Sequence, residues 1–129
     1  MTTAFVCVLL AWLLIYLPRL VVIVAIRQGS ERFDNNHPRL QQARLTGWGQ
    51  RAQAAHQNSV EAFAPFAAAV IIAHLAGADR NHMTLLAIAF VVLRTLYCVV
   101  YVADQATLRS AVWAVALAAN LGLFLLPWL

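Results

Sequence analysis

Residues 83–103 read MTLLAIAFVVLRTLYCVVYVA, an apolar run broken by a single charge at Arg94. At about 1.5 Å rise per residue such a run, coiled as an α-helix, crosses a hydrocarbon core about 30 Å thick. Three further stretches have the same character, at about 3–26, 54–78 and 110–129. Ala, Leu and Val dominate them, and the alternation of a membrane β-barrel is absent, so the spans are expected to be helical. The first lacks a basic leading segment, runs long for a signal sequence and shows no convincing small-residue cleavage site, so it is read as a span. The expected fold is all-α: one domain over 1–129, an integral membrane four-helix bundle with a long loop at 27–53.

Composition excludes the competing classes. The chain is 63% hydrophobic and 11% charged, whereas soluble domains run near 45–50% apolar and about 25% charged. Disordered chains are poor in the aliphatic and aromatic residues abundant here. All nine basic residues are arginines, and several lie within apolar sequence rather than on a solvated patch, which argues against nucleic acid as a partner. Cys7 and Cys98 both sit inside apolar runs, with neither a disulfide framework nor metal-ligand spacing, so no metal is expected.

The connections differ in length and charge. The loop at 27–53 carries Arg27, Arg32, Arg39, Arg44 and Arg51 against Glu31 and Asp34 alone. By the positive-inside rule it faces the cytoplasm, together with the connection holding Arg109, and both termini face the other side. Asp34-Asn35-Asn36-His37-Pro38 has turn chemistry. Residues 38–53, interrupted by Gly47-Trp48-Gly49, read as a short interfacial helix that runs into the second span.

Charges within the bilayer are costly, about 2.5–3.5 kcal/mol each on insertion scales, and so mark function. Arg19, Glu61 and Arg94 qualify. Counted from the cytoplasmic helix ends at 1.5 Å per residue, Glu61 and Arg94 lie roughly 15 Å deep, Arg19 about 12 Å and Asn120 about 16 Å. Every span thus offers a polar group to one layer. Helical spacing puts Arg94, Tyr97, Tyr101 and Asp104 on one face of the third span, and Asn58, Glu61 and Pro65 on one face of the second. Pro65 cannot donate to the Glu61 carbonyl, so a kink is expected there. A layer with more arginine than carboxylate, and with Arg51 and Arg109 at its mouth, suits an anionic ligand whose carboxylates arginine grips bidentately. Structural readings stand beside these. Glu61 and Arg94 also read as an ion pair that fixes helix register, Tyr97 and Tyr101 as packing residues, and Arg109 as a boundary anchor. His56 and His74 read as boundary or interhelical hydrogen-bonding residues.

The stretch from Arg51 through His56-Gln57-Asn58-Ser59-Val60-Glu61 to Pro65-Phe66 resembles the second-helix signature of the MAPEG superfamily (membrane-associated proteins in eicosanoid and glutathione metabolism). Arg94-Thr95-Leu96-Tyr97-Cys98-Val99-Val100-Tyr101 resembles its third-helix signature, and Arg109-Ser110 falls where its fourth helix begins. The resemblance covers essentially the whole chain. It implies a homotrimer in a bacterial inner membrane, with glutathione as cosubstrate bound between subunits near the cytoplasmic side and a hydrophobic electrophile arriving from the lipid. It implies Asn58 and Glu61 as glutathione ligands, Glu61 holding the γ-glutamyl amine, with Arg94, Tyr97 and Tyr101 lining the site. It implies Arg109 as the catalytic residue that stabilises the thiolate, and it matches Arg51 and Arg27 more loosely to basic ligand positions. The chain departs from the pattern at Ala54 and Gln57, where members carry arginine, and at Trp113, where a tyrosine is expected. The implied activity is that of a glutathione transferase or peroxidase. A silent glutathione-binding or accessory subunit of a membrane complex is one alternative. A small proton-coupled exporter is another, disfavoured because its carboxylate belongs in the first helix.

Overall fold

A computed structural model describes residues 2–129, and every regular element among them is helical. The first span is built from α1 (Thr3–Leu14) and α2 (Tyr16–Gln28), the second is α4 (Gly47–Leu75) and the third α5 (Arg80–Val102). The fourth is α6 (Ala106–Leu125) with a closing 3-10 turn (Leu126–Trp128), while α3 (Pro38–Ala43) lies in the long connection. All four spans are long and apolar enough to cross a bilayer, and the protein is a multi-pass membrane protein. α5 packs most extensively on α6; α4 contacts both and also takes the first span along its length.

The division of the first span at Ile15 follows from Pro18. Proline has no N–H for the carbonyl four residues back, and its ring crowds that carbonyl, so the helix loosens over Leu14 and Ile15. α4 repairs the gap: His56 Nδ1 lies 2.9 Å from the Ile15 carbonyl oxygen. A carbonyl only accepts, so Nδ1 carries the proton. His56 is therefore an interhelical hydrogen-bonding residue, as its sequence position indicates. His74 meets the first span differently, with its ring edge-on to Phe5 at 4.9 Å.

One continuous helix from 38 into the second span is not what forms. Residues 44–46 separate α3 from α4, and α4 opens on Gly47 in the left-handed region, at φ +57°. Glycine adopts that conformation without a Cβ clash. Past Pro65, by contrast, α4 remains a single helix from Gly47 to Leu75. The opposite end of the bundle turns on Asp79, whose carboxylate caps α5 by accepting from the backbone N–H groups of Asn81 and His82. The bond from the His82 N–H is the main cause that holds this carboxyl below its usual range. A lowered value means the cap is complete above the ordinary carboxylate range and is lost as pH falls through the lowered one.

Of three packing centres, one is formed by Tyr97, Cys98 and Val112 between α5 and α6, and two tie the first span to the bundle. In one of these two, Ala4, Cys7 and Ala11 of α1 meet Phe66, Ala69, Val70 and Ala73 of α4, together with Met83, Ala87 and Phe90 of α5 and Ala116 and Leu123 of α6. Small residues let backbones approach, which is how membrane helices gain packing when lipid competes equally for apolar surface. The other is at the long-connection end, where Val22 and Ile26 pack on Ala52. Here Gly49 sets the spacing, because a Cβ on it would lie 2.8 Å from the Ala25 Cβ. Ala25 has no flexible side chain that can move aside. Gly49→Ala is therefore expected to push α2 off α4 and cost about 1–3 kcal/mol. Thermal unfolding in detergent measures this, and an unchanged midpoint would mean the two helices part freely.

Candidate functional site

The second-span face predicted from spacing opens on a cleft. α4 supplies Asn58, Glu61 and Pro65, α5 supplies Phe90 and Arg94, and α6 supplies Trp113, Ala116 and Asn120, around about 210 Å³. Three of the four expected layer residues, Glu61, Arg94 and Asn120, thus share one cavity. Arg19 does not; it lines a separate groove on the first-span side, which Glu61 also borders.

Arg94 is 3% exposed. Its guanidinium carbon stands 4.2 Å over the Tyr97 ring, and Nη2 lies 3.5 Å from Ser59 Oγ. The ion pair with Glu61 does not form: among the described residues no carboxylate lies within 4 Å of Arg94. The physical reason is reach. Arg94 turns along α5 toward the tyrosine face and Ser59, while Glu61 stays exposed at the cleft edge, 3.4 Å from Asn58 Nδ2. Nothing in the sequence singles out Ser59, which stands among the more polar His56, Gln57, Asn58 and Glu61. It donates to the Ala55 carbonyl at 2.8 Å, which leaves its lone pairs for Arg94 and for the Cys98 thiol at 3.5 Å. Two acceptors facing the cleft are unsatisfied: Asn58 Oδ1 and the Oδ1 of Asn120, itself 6% exposed. Buried polar atoms are normally paired, so these two are poised for a donor from outside the chain.

A second cleft, of about 440 Å³, holds Tyr97, Tyr101, Arg109 and Ser110, and Trp113 walls both. The stripe on α5 continues into it as a stacked ladder. Arg94 covers Tyr97, Tyr97 meets Tyr101 edge-on at 5.5 Å, and the Arg109 guanidinium carbon lies 4.4 Å over the Tyr101 ring. Arg109 sits in the first turn of α6. Guanidinium and helix-dipole fields have the same sign there, and together they favour an anion.

Asp104, expected on the same stripe, leaves it. It takes φ +64° after the end of α5 and turns toward α4, where its Oδ2 lies 3.4 Å from Arg51 Nη1. Arg51 Nε donates to the Val102 carbonyl at 3.0 Å, satisfying one of the acceptors a helix C-terminus leaves open. Arg51 is thus engaged as a cap and lines neither cleft. Arg27, exposed in the last turn of α2, lines neither cleft either. The structure brings together Asn58, Glu61 and Arg94 in one cavity and Tyr97, Tyr101 and Arg109 in its neighbour, and leaves Arg51 and Arg27 outside both.

Comparison with curated proteins and with solved structures gave no match. The family model described as MAPEG family matches residues 3–129, and the protein belongs to the MAPEG family.

Proposed function

We propose that the protein is a membrane-bound glutathione-dependent transferase or peroxidase acting on hydrophobic electrophiles, with glutathione bound between subunits of a homotrimer near the cytoplasmic side. The uncompensated arginines carry this proposal: Arg94 and Arg109 stack on tyrosines, and no carboxylate lies within 4 Å of either among the described residues. Family membership supports the glutathione-related class. The donor and acceptor set fits a tripeptide thiol. Glu61 meets its ammonium, Asn58 Oδ1 accepts an N–H, and Arg94, Tyr97 and Tyr101 line the path to Arg109, which holds the thiolate. A cavity of about 210 Å³ in one protomer is below the usual range of about 300–1,000 Å³ for ligand pockets, which favours a wall completed by a second copy.

In the transferase reaction the thiolate sulfur attacks the electrophilic carbon, an S–C bond forms, and the leaving group departs with its electron pair. The thiol proton has already passed to water. In the peroxidase reaction two thiols are oxidised to a disulfide while a hydroperoxide is reduced to alcohol and water. Purified protein in detergent is expected to conjugate glutathione to a chlorinated nitrobenzene, read as adduct absorbance. Absence of conjugation, of hydroperoxide reduction and of calorimetric glutathione binding would overturn the proposal. Trp113, standing in the shared wall of both clefts, favours a second reading in which glutathione binds without turnover. Binding with no adduct and no peroxide reduction would select it.

A further inference from the structure

Arg19 stands apart from both clefts. It lines a groove of about 810 Å³ between the loosened first span, α3 and α4, together with Arg39, Gln53 and His56. Tyr16 and Val60, each about half exposed, belong to its apolar wall, and Glu61 borders it. Neither Arg19 nor Arg39 has a carboxylate within 4 Å among the described residues. Gln53 Oε1 is buried without a partner. His56 gives its Nδ1 proton to the Ile15 carbonyl, so its Nε2 is an acceptor while the ring is neutral.

We propose that this groove binds one anionic phospholipid of the surrounding bilayer, whose phosphodiester meets Arg19 and Arg39 and whose acyl chains leave over Tyr16 and Val60. Charge decides first. Two guanidinium groups and the Glu61 carboxylate leave the groove one positive charge, and a phosphodiester carries one negative charge. Basic pockets between membrane helices receive anionic headgroups, and the planar guanidinium fork pairs two phosphate oxygens at once. Depth agrees. The first span is 26 residues long, about 39 Å at 1.5 Å per residue, whereas the hydrocarbon core is about 30 Å thick. The surplus at the Arg27 end, with the reach of an arginine side chain, brings the Arg19 guanidinium to the headgroup level. Arg39 lies on α3, in the connection beyond the span. A free phosphate would leave the wall of Tyr16 and Val60 bare, whereas a lipid covers it. The two acceptors narrow the headgroup further. Gln53 Oε1 and His56 Nε2 both call for donors, which a glycerol headgroup supplies and a choline headgroup does not. The groove therefore favours a phosphodiester that carries hydroxyls, for which phosphatidylglycerol is the probe. It takes no part in the thiol chemistry proposed above.

Native mass spectrometry of the full chain in detergent, stripped of lipid and then titrated with dioleoyl lipids, tests this. Phosphatidylglycerol, phosphatidylmethanol and phosphatidylcholine are compared on wild type, Arg19→Gln, Arg39→Gln and Gln53→Leu. Arg80→Gln, at the opposite end of the bundle, is the control. Wild type is expected to bind one phosphatidylglycerol per protomer, more tightly than phosphatidylcholine. Losing a charge-assisted hydrogen bond is expected to weaken this binding by about tenfold or more in each arginine variant and not in the control. Phosphatidylmethanol keeps the phosphodiester charge and lacks the hydroxyls. It should bind less well than phosphatidylglycerol to wild type and equally well to Gln53→Leu. If Arg19→Gln fails to fold, exposed Arg39 and the lipid series carry the test. Equal affinity of wild type for phosphatidylglycerol and phosphatidylcholine would overturn the proposal, as would unchanged phosphatidylglycerol affinity in both arginine variants. Binding of none of the three lipids by wild type, the result expected if a second copy of the chain fills the groove, would overturn it too. Glutathione binding by the same samples is expected to survive both arginine substitutions. Its loss from them, with phosphatidylglycerol retained, would assign the groove to the thiol and remove the lipid from it.

Discussion

Arg109→Ala is expected to lower the rate constant of glutathione conjugation by about 10²–10³-fold, the usual cost of removing one preorganised group that stabilises reaction charge. A free thiol with a pKa of about 8.5 is only a few per cent ionised at pH 7, and a neighbouring cation raises the thiolate fraction by lowering that value. The Arg109 guanidinium is held over Tyr101 in the first turn of α6, so its charge does not have to be oriented during the reaction. Removing the cation raises the pKa of the bound thiol toward its free value. The variant's rate should therefore continue to climb with pH where the wild-type rate has levelled. KM for glutathione should change far less, because Glu61 and Asn58 remain. Arg109→Lys keeps the charge and loses the flat stacking on Tyr101, and an intermediate rate is expected. Steady-state kinetics over a pH series measures all of this. Equal rates for wild type and Arg109→Ala would take Arg109 out of the mechanism.

Phe66→Ala is expected to have the largest effect on stability, a loss of about 3–5 kcal/mol. Phe66 is 0% exposed, and its ring stacks on Phe90 at 4.0 Å with only 9° between the planes. The pair joins α4 to α5 behind the Arg94 cleft, of which Phe90 is a wall. In a bilayer, truncation exposes nothing to water. What it removes is dispersion contact, and the void has no other atoms to supply it. Unfolding in detergent by heat or denaturant reads the loss. A change under about 1 kcal/mol would show that the helices close over the gap, contrary to the rigid packing of small residues around it.

Much of the architecture was legible because bilayer crossing imposes a length and a composition that few other structures require. The apolar runs mark the spans, and spacing alone places Asn58, Glu61 and Pro65 on one cavity wall and Arg94, Tyr97 and Tyr101 along one ladder. Depth was less informative than face. Arg19, at nearly the same depth by residue count, lines a groove with Glu61 on the first-span side of α4 and is absent from the cavity of Arg94 and Asn120. Long side chains are the least legible from sequence. Arg94 and Glu61 line the same cavity without pairing, because an arginine reaches several ångströms in any of many rotamers and here settles on Tyr97 and Ser59. Arg51 stands near the mouth in sequence, but the open carbonyl of Val102 and the left-handed turn at Asp104 claim it. Nothing local to Arg51 announces partners so far along the chain. The break between α3 and α4 depended on a single backbone angle at Gly47, which an interrupting glycine pair indicates only loosely.

The bond from Arg51 to Val102 joins residues 51 positions apart. A polypeptide inserted from its amino end delivers Arg51 to the membrane well before Val102 has been synthesised, so the guanidinium must wait, hydrated by interfacial water, while two complete crossings follow it. The last carbonyls of α5 are correspondingly solvated until the hairpin closes. This latch, drawn from the earlier half of the bundle, can therefore close only once the α4–α5 hairpin is complete, with α6 still to follow.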